Sequence, residues 1–312
     1  VSSLSVVPDL GLPHVHSGKV RDLFDAGQGQ LLMVASDRLS AFDVVMNEAV
    51  PNKGRVLTAM SAFWFDELSQ IIGNHLISTS LDSLPPSAQL PELAGRIMLC
   101  RRAEMLPIEC IVRGFVAGSA WKEYSQNGTI HSMAVPAGMA EADRLDEPMF
   151  TPSTKAAVGD HDENISFDAA VELIGGDLAE QARSLSLQMY SVAAAKAEAA
   201  GFFLADTKFE LGLIADSNGK KNLVVADEVL TPDSSRFWLM QDWHPGSTPQ
   251  GFDKQPVRDF LETLIWNKTP PPPALPPAVV QATADRYQQA YEQICGLAFE
   301  DWPGVTGAIP SV

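Results

Sequence analysis

The 312-residue sequence predicts a fold of mixed strands and helices in two lobes, on three observations. Strand-like patterns recur at 14–37, 96–115 and 202–228, and helical periodicity appears at 56–72, 178–200 and 278–297. Pro107 breaks the chain between two strand-like runs and is read as a hinge, so a β-rich lobe is assigned to 1–106 and a second lobe to 107–312. The composition, 46% hydrophobic and 20% charged, is that of an ordinary globular chain. It has no run of eighteen apolar residues and no basic-then-apolar leader, so a cytoplasmic protein with no membrane partner is expected. Cys100, Cys110 and Cys295 form neither a CxxC pair nor an even framework, which suits a reducing compartment. A formal charge of −17 argues against a nucleic-acid groove. The cations nonetheless gather in short Gly-, Ser- or Asp-containing segments, as they would around small, multiply anionic substrates.

In chain order, residues 14–24 alternate and 30–37 form an apolar strand with a polar end. Gly18, followed by Lys19 and Arg21 at period two, would let backbone and basic side chains approach a phosphate. No GxxxxGK[ST] or GxGxxG occurs, so the mode would be a glycine-bearing hairpin over a nucleotide, as in protein kinases; a plain surface turn is the alternative. Residues 36–43 are a candidate binding loop or a capped turn. Val56, Ala59, Met60, Phe63, Trp64, Leu68, Ile71 and Ile72 make a core-facing helical stripe that stops at Gly73, and 78–91 is a Ser/Pro-rich loop.

Gly118 opens a short helix closed by Asn127-Gly128. Ser119 then sits at a helix N-terminus near Arg113, either binding an anion or simply capping. Residues 150–164 form a long polar loop suited to a lid or a substrate; its His161 and Glu163 lack the PCxxC partner of zinc deaminases. Leu178, Ala182, Leu185, Met189 and Val192 define an amphipathic helix ended by Gly201.

That helix leads into a predicted hairpin, 202–212 and 222–228, joined by Asp216-Ser-Asn-Gly219 turn chemistry. Alternation puts Asp206, Lys208 and Glu210 on one face, about 6.6 Å apart, and Thr207, Phe209 and Leu211 on the other. With the turn centred near Asn218, Asp227 falls opposite or diagonal to Glu210. Mg²⁺ is the economical answer to two adjacent carboxylates, with Lys208 meeting a phosphate. The alternative is a solvated face whose Lys–Glu pair contributes under about 1 kcal/mol. Beyond the hairpin, Arg236 offers a bidentate fork for a carboxylate or phosphate. A proline-rich connector at 270–277 precedes a terminal helix at 278–297.

In order, Ser17-Gly-Lys-Val-Arg-Asp22, Ser36-Asp-Arg-Leu-Ser-Ala-Phe-Asp43, Val112-Arg-Gly-Phe-Val-Ala-Gly-Ser119, Gly159-Asp-His-Asp-Glu-Asn-Ile165, Ala205-Asp-Thr-Lys-Phe-Glu210 and Asp227-Glu-Val-Leu-Thr-Pro-Asp-Ser-Ser-Arg236 resemble the phosphoribosylaminoimidazole-succinocarboxamide synthase (SAICAR synthetase) family. The resemblance implies an α+β, two-lobed ATP-binding architecture similar to kinase-like or ATP-grasp-like folds, with nucleotide between the lobes. It implies that ATP, carboxyaminoimidazole ribotide (CAIR) and L-aspartate give SAICAR, ADP and phosphate through an acyl phosphate. Small-molecule partners follow, with a monomer or homodimer as the assembly.

By this analogy Gly18, Lys19, Arg21 and Lys208 contact ATP phosphates, Glu109 lies in the segment against adenine, and Glu210 and Asp227 hold Mg²⁺. Lys208 and Asp206 are the catalytic candidates. Ser36, Asp37, Arg38, Ser40, Arg113, Ser119, Asp206 and Arg236 surround the ribotide, while Lys155, Asp160 and Asn164 are candidates for aspartate. A small-molecule kinase would share the hairpin, lysine and carboxylates. A nucleotide-sensing module would have no use for the cations after Gly118.

Overall fold

The computed structural model describes residues 3–155, 163–249 and 251–305. It is a mixed α/β structure whose backbone contacts cluster into two compact units. The first comprises 1–64, 75–102 and 252–312, and the second 65–74 and 103–251. The chain changes unit at 102/103 rather than at Pro107, and the C-terminal helices belong with the N-terminal strands. Sequence patterning places breaks between local runs, whereas membership of a unit depends on distant partners.

The first unit is built on a five-stranded sheet in the order His14–Ser17, Arg21–Gly27, Gln30–Ala35, Ile97–Arg101, Leu76–Ser78. The expected single strand over 14–24 is two strands, because the chain turns at Gly18, whose N–H donates to the Arg21 carbonyl at 2.7 Å. Lys19 therefore lies in a turn and not on a strand face with Arg21. Phe24, Leu32, Val34, Ile97 and Leu99 pack with Leu10, Leu84, Ala88 and Leu93 to form a core. The Ser/Pro-rich loop contributes to that core through three short 3-10 turns beginning at Leu81, Pro86 and Pro91. Helices Gln255–Glu262 and Pro277–Cys295 complete the unit, and Tyr287, fully buried, lies under the Lys53 ammonium.

The second unit is organised around the 14-residue strand Phe202–Ala215. It pairs antiparallel with Lys221–Ala226, Ile108–Phe115, Ser235–Leu239 and Glu104–Met105, and Arg144–Phe150 extends the sheet beyond Ile108–Phe115. Glu210 faces Ala226 and Ala215 faces Lys221, so the predicted hairpin forms with its turn centred on Asn218. Helix Gly176–Ala199 covers the sheet, but with a different face from the one expected. Ala182 and Met189 are buried, with Ala179, Ser186, Tyr190, Ala193 and Ala197, while Val192 is 41% exposed. Small residues let the helix approach closely: at Gly114 a Cβ would stand 1.9 Å from the Tyr190 hydroxyl, which donates to the Leu204 carbonyl.

Candidate active site

The charged face predicted on the central strand exists. Strand register sets Arg113 opposite Asp206 and Ile111 opposite Lys208, so side chains from Ile108–Phe115 join that face. Arg113 Nη1 donates to Asp206 Oδ2 at 2.9 Å, its Nε to Thr151 Oγ1 at 3.1 Å and its Nη2 to Ser119 Oγ at 3.0 Å. Arg236 Nε lies 3.5 Å from Asp206 Oδ1. Burial depresses the Arg113 pKa, and Asp206 opposes that shift. Ser119 is the first residue of helix Ser119–Asn127 and makes no capping bond; its hydroxyl faces the guanidinium instead. Gly118 has φ +59°, and a Cβ there would come within 3.0 Å of both terminal nitrogens of Arg236. The missing side chain lets that guanidinium lie against the backbone.

Two residues along the strand, Lys208 Nζ donates to Glu109 Oε1 at 2.5 Å and lies 3.5 Å from Glu210 Oε1. Burial works against this ammonium, but Glu210, Glu109 and Asp227 outweigh it and hold its pKa above the ordinary lysine value. Glu109 is thus part of the charged face, with its second oxygen accepting from Ser153 Oγ at 3.1 Å. Lys155 Nζ sits 2.7 Å from Glu210 Oε2, beside a carboxylate expected to bind metal rather than in a separate pocket. Asp227 lies just past the end of its ladder with φ +58°, close enough to act on Lys208.

Sequence reasoning missed Thr151 and Ser153. With Lys155 they alternate along one segment and each grips a different member of the face: Arg113, Glu109 and Glu210. The period of two was present in the sequence, but nothing local identified the partners. Asn164 is exposed and pairs by backbone with Ser153, while Asp160 lies outside the described residues.

The first unit holds the remaining candidates. Arg38 donates to the carbonyls of Gly18 and Lys19 and to Asp22 Oδ2, fastening the glycine turn. Lys19 Nζ pairs with Asp43 at 2.7 Å on the surface, and Arg21 is half-buried in its strand. Ser36 and Asp37 are fully buried: the hydroxyl donates to the Val20 carbonyl, and the carboxylate accepts from Arg96, Gly54 and Leu4. These two were expected to reach the ribotide, yet burial turns them to holding the loop. Ser40 is half-buried in a two-residue strand paired with Val44–Val45.

The oxygen donors Glu210 and Asp227 suit Mg²⁺, which takes one or two protein carboxylates together with substrate phosphates. Among the described residues no group of three or more His, Cys, Asp or Glu side chains is placed to hold a metal ion by itself. No helix among them is long and apolar enough to cross a membrane.

Comparison with known proteins identifies the family. The SAICAR synthetase family model matches residues 14–273. The chain belongs to the SAICAR synthetase family. It is 51% identical over 292 residues to the phosphoribosylaminoimidazole-succinocarboxamide synthase of Pelobacter propionicus, covering 92% of this chain and 96% of that one. Identity to the same enzyme from Syntrophotalea carbinolica is 53%, over 93% and 96% of the two chains. The solved SAICAR synthase of Saccharomyces cerevisiae, in complex with SAICAR, superposes with a TM-score of 0.86 at 39% identity, covering 95% of this chain and 99% of that one. SAICAR synthetases join L-aspartate to CAIR with consumption of ATP in purine biosynthesis, and this chain is an ATP-dependent ligase of that kind.

Proposed function

We propose that the face formed by Asp206, Lys208, Glu210, Glu109, Arg113 and Arg236 carries out the ligation through an acyl phosphate. The observation that carries this reading is a lysine held charged among three carboxylates on the same strand face as a paired-arginine cluster. Amide formation from a carboxylate needs a leaving group on that carboxylate, and phosphoryl transfer from ATP supplies one. Lys208 neutralises charge on the transferring phosphoryl group. Glu210 and Asp227 hold Mg²⁺, which when bound supplies charge neutralisation on the triphosphate. Arg113, Ser119 and Arg236 take the ribotide phosphate, and Asp206 accepts a hydrogen bond from the aminoimidazole and helps deprotonate the incoming amine. Glu109 and Ser153 keep Lys208 in place.

In the first unit, Gly18, Lys19 and Arg21 take ATP phosphates on a turn fastened by Arg38. Arg38 and Ser40 line the ribotide carboxylate, supported from behind by Ser36 and Asp37. Lys155 and Asn164 remain candidates for aspartate, in a cytoplasmic enzyme of two-lobed, kinase-like ATP-binding architecture.

The alternative reaction is a kinase that phosphorylates a stable acceptor. ADP release measured with each substrate omitted separates the two, because only the ligase needs aspartate for sustained turnover. Lys208→Ala lowers kcat by about 10²–10³-fold, and a urea unfolding curve checks that the variant, in which Glu109 loses its ionic partner, is folded under the assay conditions. Near-wild-type turnover in that variant removes Lys208 from the chemistry.

A further inference from the structure

His131 lies in the turn between the two-residue strands Thr129–Ile130 and Met133–Ala134, with φ +47° and only 5% exposure. On one side Glu123 clasps this turn: its carboxylate accepts from the His131 and Ser132 backbone N–H groups and from the Thr129 hydroxyl. On the other side the ring Nδ1 is 3.3 Å from the Ile165 carbonyl, the Pro152 carbonyl also acts on the ring, and the buried Nε2 makes no hydrogen bond of good geometry. Ile165 N–H donates to the Pro152 carbonyl, and Thr151, the residue before it, accepts from Arg113. Ser119, which opens the helix carrying Glu123, accepts from the same guanidinium. His131 therefore closes a ring of contacts around Arg113 that runs through the helix, the turn and the paired segments.

We propose that His131 is a positioning residue for Arg113, that it works as a neutral imidazole donating through Nδ1 to the Ile165 carbonyl, and that the anion clamp loosens when the ring takes a second proton from water. The inference rests on the assignment of Arg113 to the ribotide anion. A neutral ring leaves Nε2 as a bare lone pair, which the enclosure tolerates. A second proton would put a buried cation near Arg113, itself buried and cationic. The charged groups acting on the ring are Arg113, from strand Ile108–Phe115, and Glu123, from helix Ser119–Asn127; the paired segments contribute the Ile165 and Pro152 carbonyls. Burial and then Arg113 hold the imidazole pKa below its ordinary 6.5, against the carbonyls and Glu123. Because the folded value is lowered, the neutral ring's stabilisation is present above the unfolded pKa and lost as pH falls below it.

The test measures KM for CAIR and for ATP between about pH 5.5 and 8 in wild type, His131→Asn, His131→Leu and Arg113→Lys. Asparagine keeps an N–H donor near the Nδ1 position, tolerates a left-handed backbone and does not titrate. Expected is a several-fold rise in wild-type CAIR KM towards acid with little change for ATP, and a ratio of acid to alkaline CAIR KM near one in His131→Asn. His131→Leu, lacking the donor, shows a raised CAIR KM at every pH. An acid rise in His131→Asn equal to that of wild type overturns the proposal. An unchanged CAIR KM in Arg113→Lys overturns the Arg113 assignment instead. Melting temperature against pH then carries the His131 test: wild type loses stability below about pH 6.5 and His131→Asn does not, while equal losses overturn it.

Discussion

Asp37 is fully buried, and its charge is met by donors from three separate stretches of the first unit: Leu4 N–H, Gly54 N–H and the Arg96 guanidinium. Arg96 is equally enclosed, and its Nε and Nη2 make no hydrogen bond, so Asp37 is its ionic partner in a site closed to water. Removing one member of such a pair leaves the other charge without compensation. Asp37→Asn should therefore lose about 3–5 kcal/mol of stability in urea unfolding. This cost explains why a residue in a loop that looks like a binding loop can serve the fold instead. Its Ser-Asp-Arg composition is visible in the sequence; the direction each side chain takes is not, because it depends on Arg96, 59 residues away.

At the scale of elements, the central hairpin was legible because its signals are local. The alternation of Asp206, Lys208 and Glu210 and the Asp216–Gly219 turn all fall within 15 residues, and they fix the register at Glu210 opposite Ala226. The covering helix was misread at Leu185 and Val192 for the opposite reason. Its buried face is mostly alanine, with Ser186, Met189 and Tyr190, which leaves little hydrophobic contrast along the sequence. What selects that face is closeness to Gly114. Gly114→Ala should cost about 1–3 kcal/mol by overpacking against the Tyr190 hydroxyl. Tyr190→Phe deletes that hydroxyl and its bond to the Leu204 carbonyl. In a double-mutant cycle read by urea unfolding, Gly114→Ala should then cost less in the Tyr190→Phe background than in wild type.

Across the whole molecule, Trp302 Nε1 donates to the Gly95 carbonyl at 2.7 Å, 207 residues away in sequence. A Cβ at Gly95 would stand only 2.0 Å from the Pro303 carbonyl, and one at Gly304 would press on Ala94 and Arg55. The C-terminal segment is thus packed into the first unit as part of its structure. Trp302→Ala, which deletes a half-buried ring and this bond, should cost about 2–3 kcal/mol, measured by urea unfolding. Such returns were illegible in the sequence, where a proline-rich connector looks the same whether the helix after it docks near or far.

The first unit is thus assembled from three stretches of chain, the last of which begins at residue 252. On a ribosome the strands of its sheet emerge well before the helix that places Tyr287 beneath Lys53. The second unit is complete by about residue 251. During translation it can consolidate first, although the other unit supplies the earlier strands, while Lys53 and the helix it opens are still without Tyr287. A chaperone that shields incompletely packed segments would find its substrate in that interval.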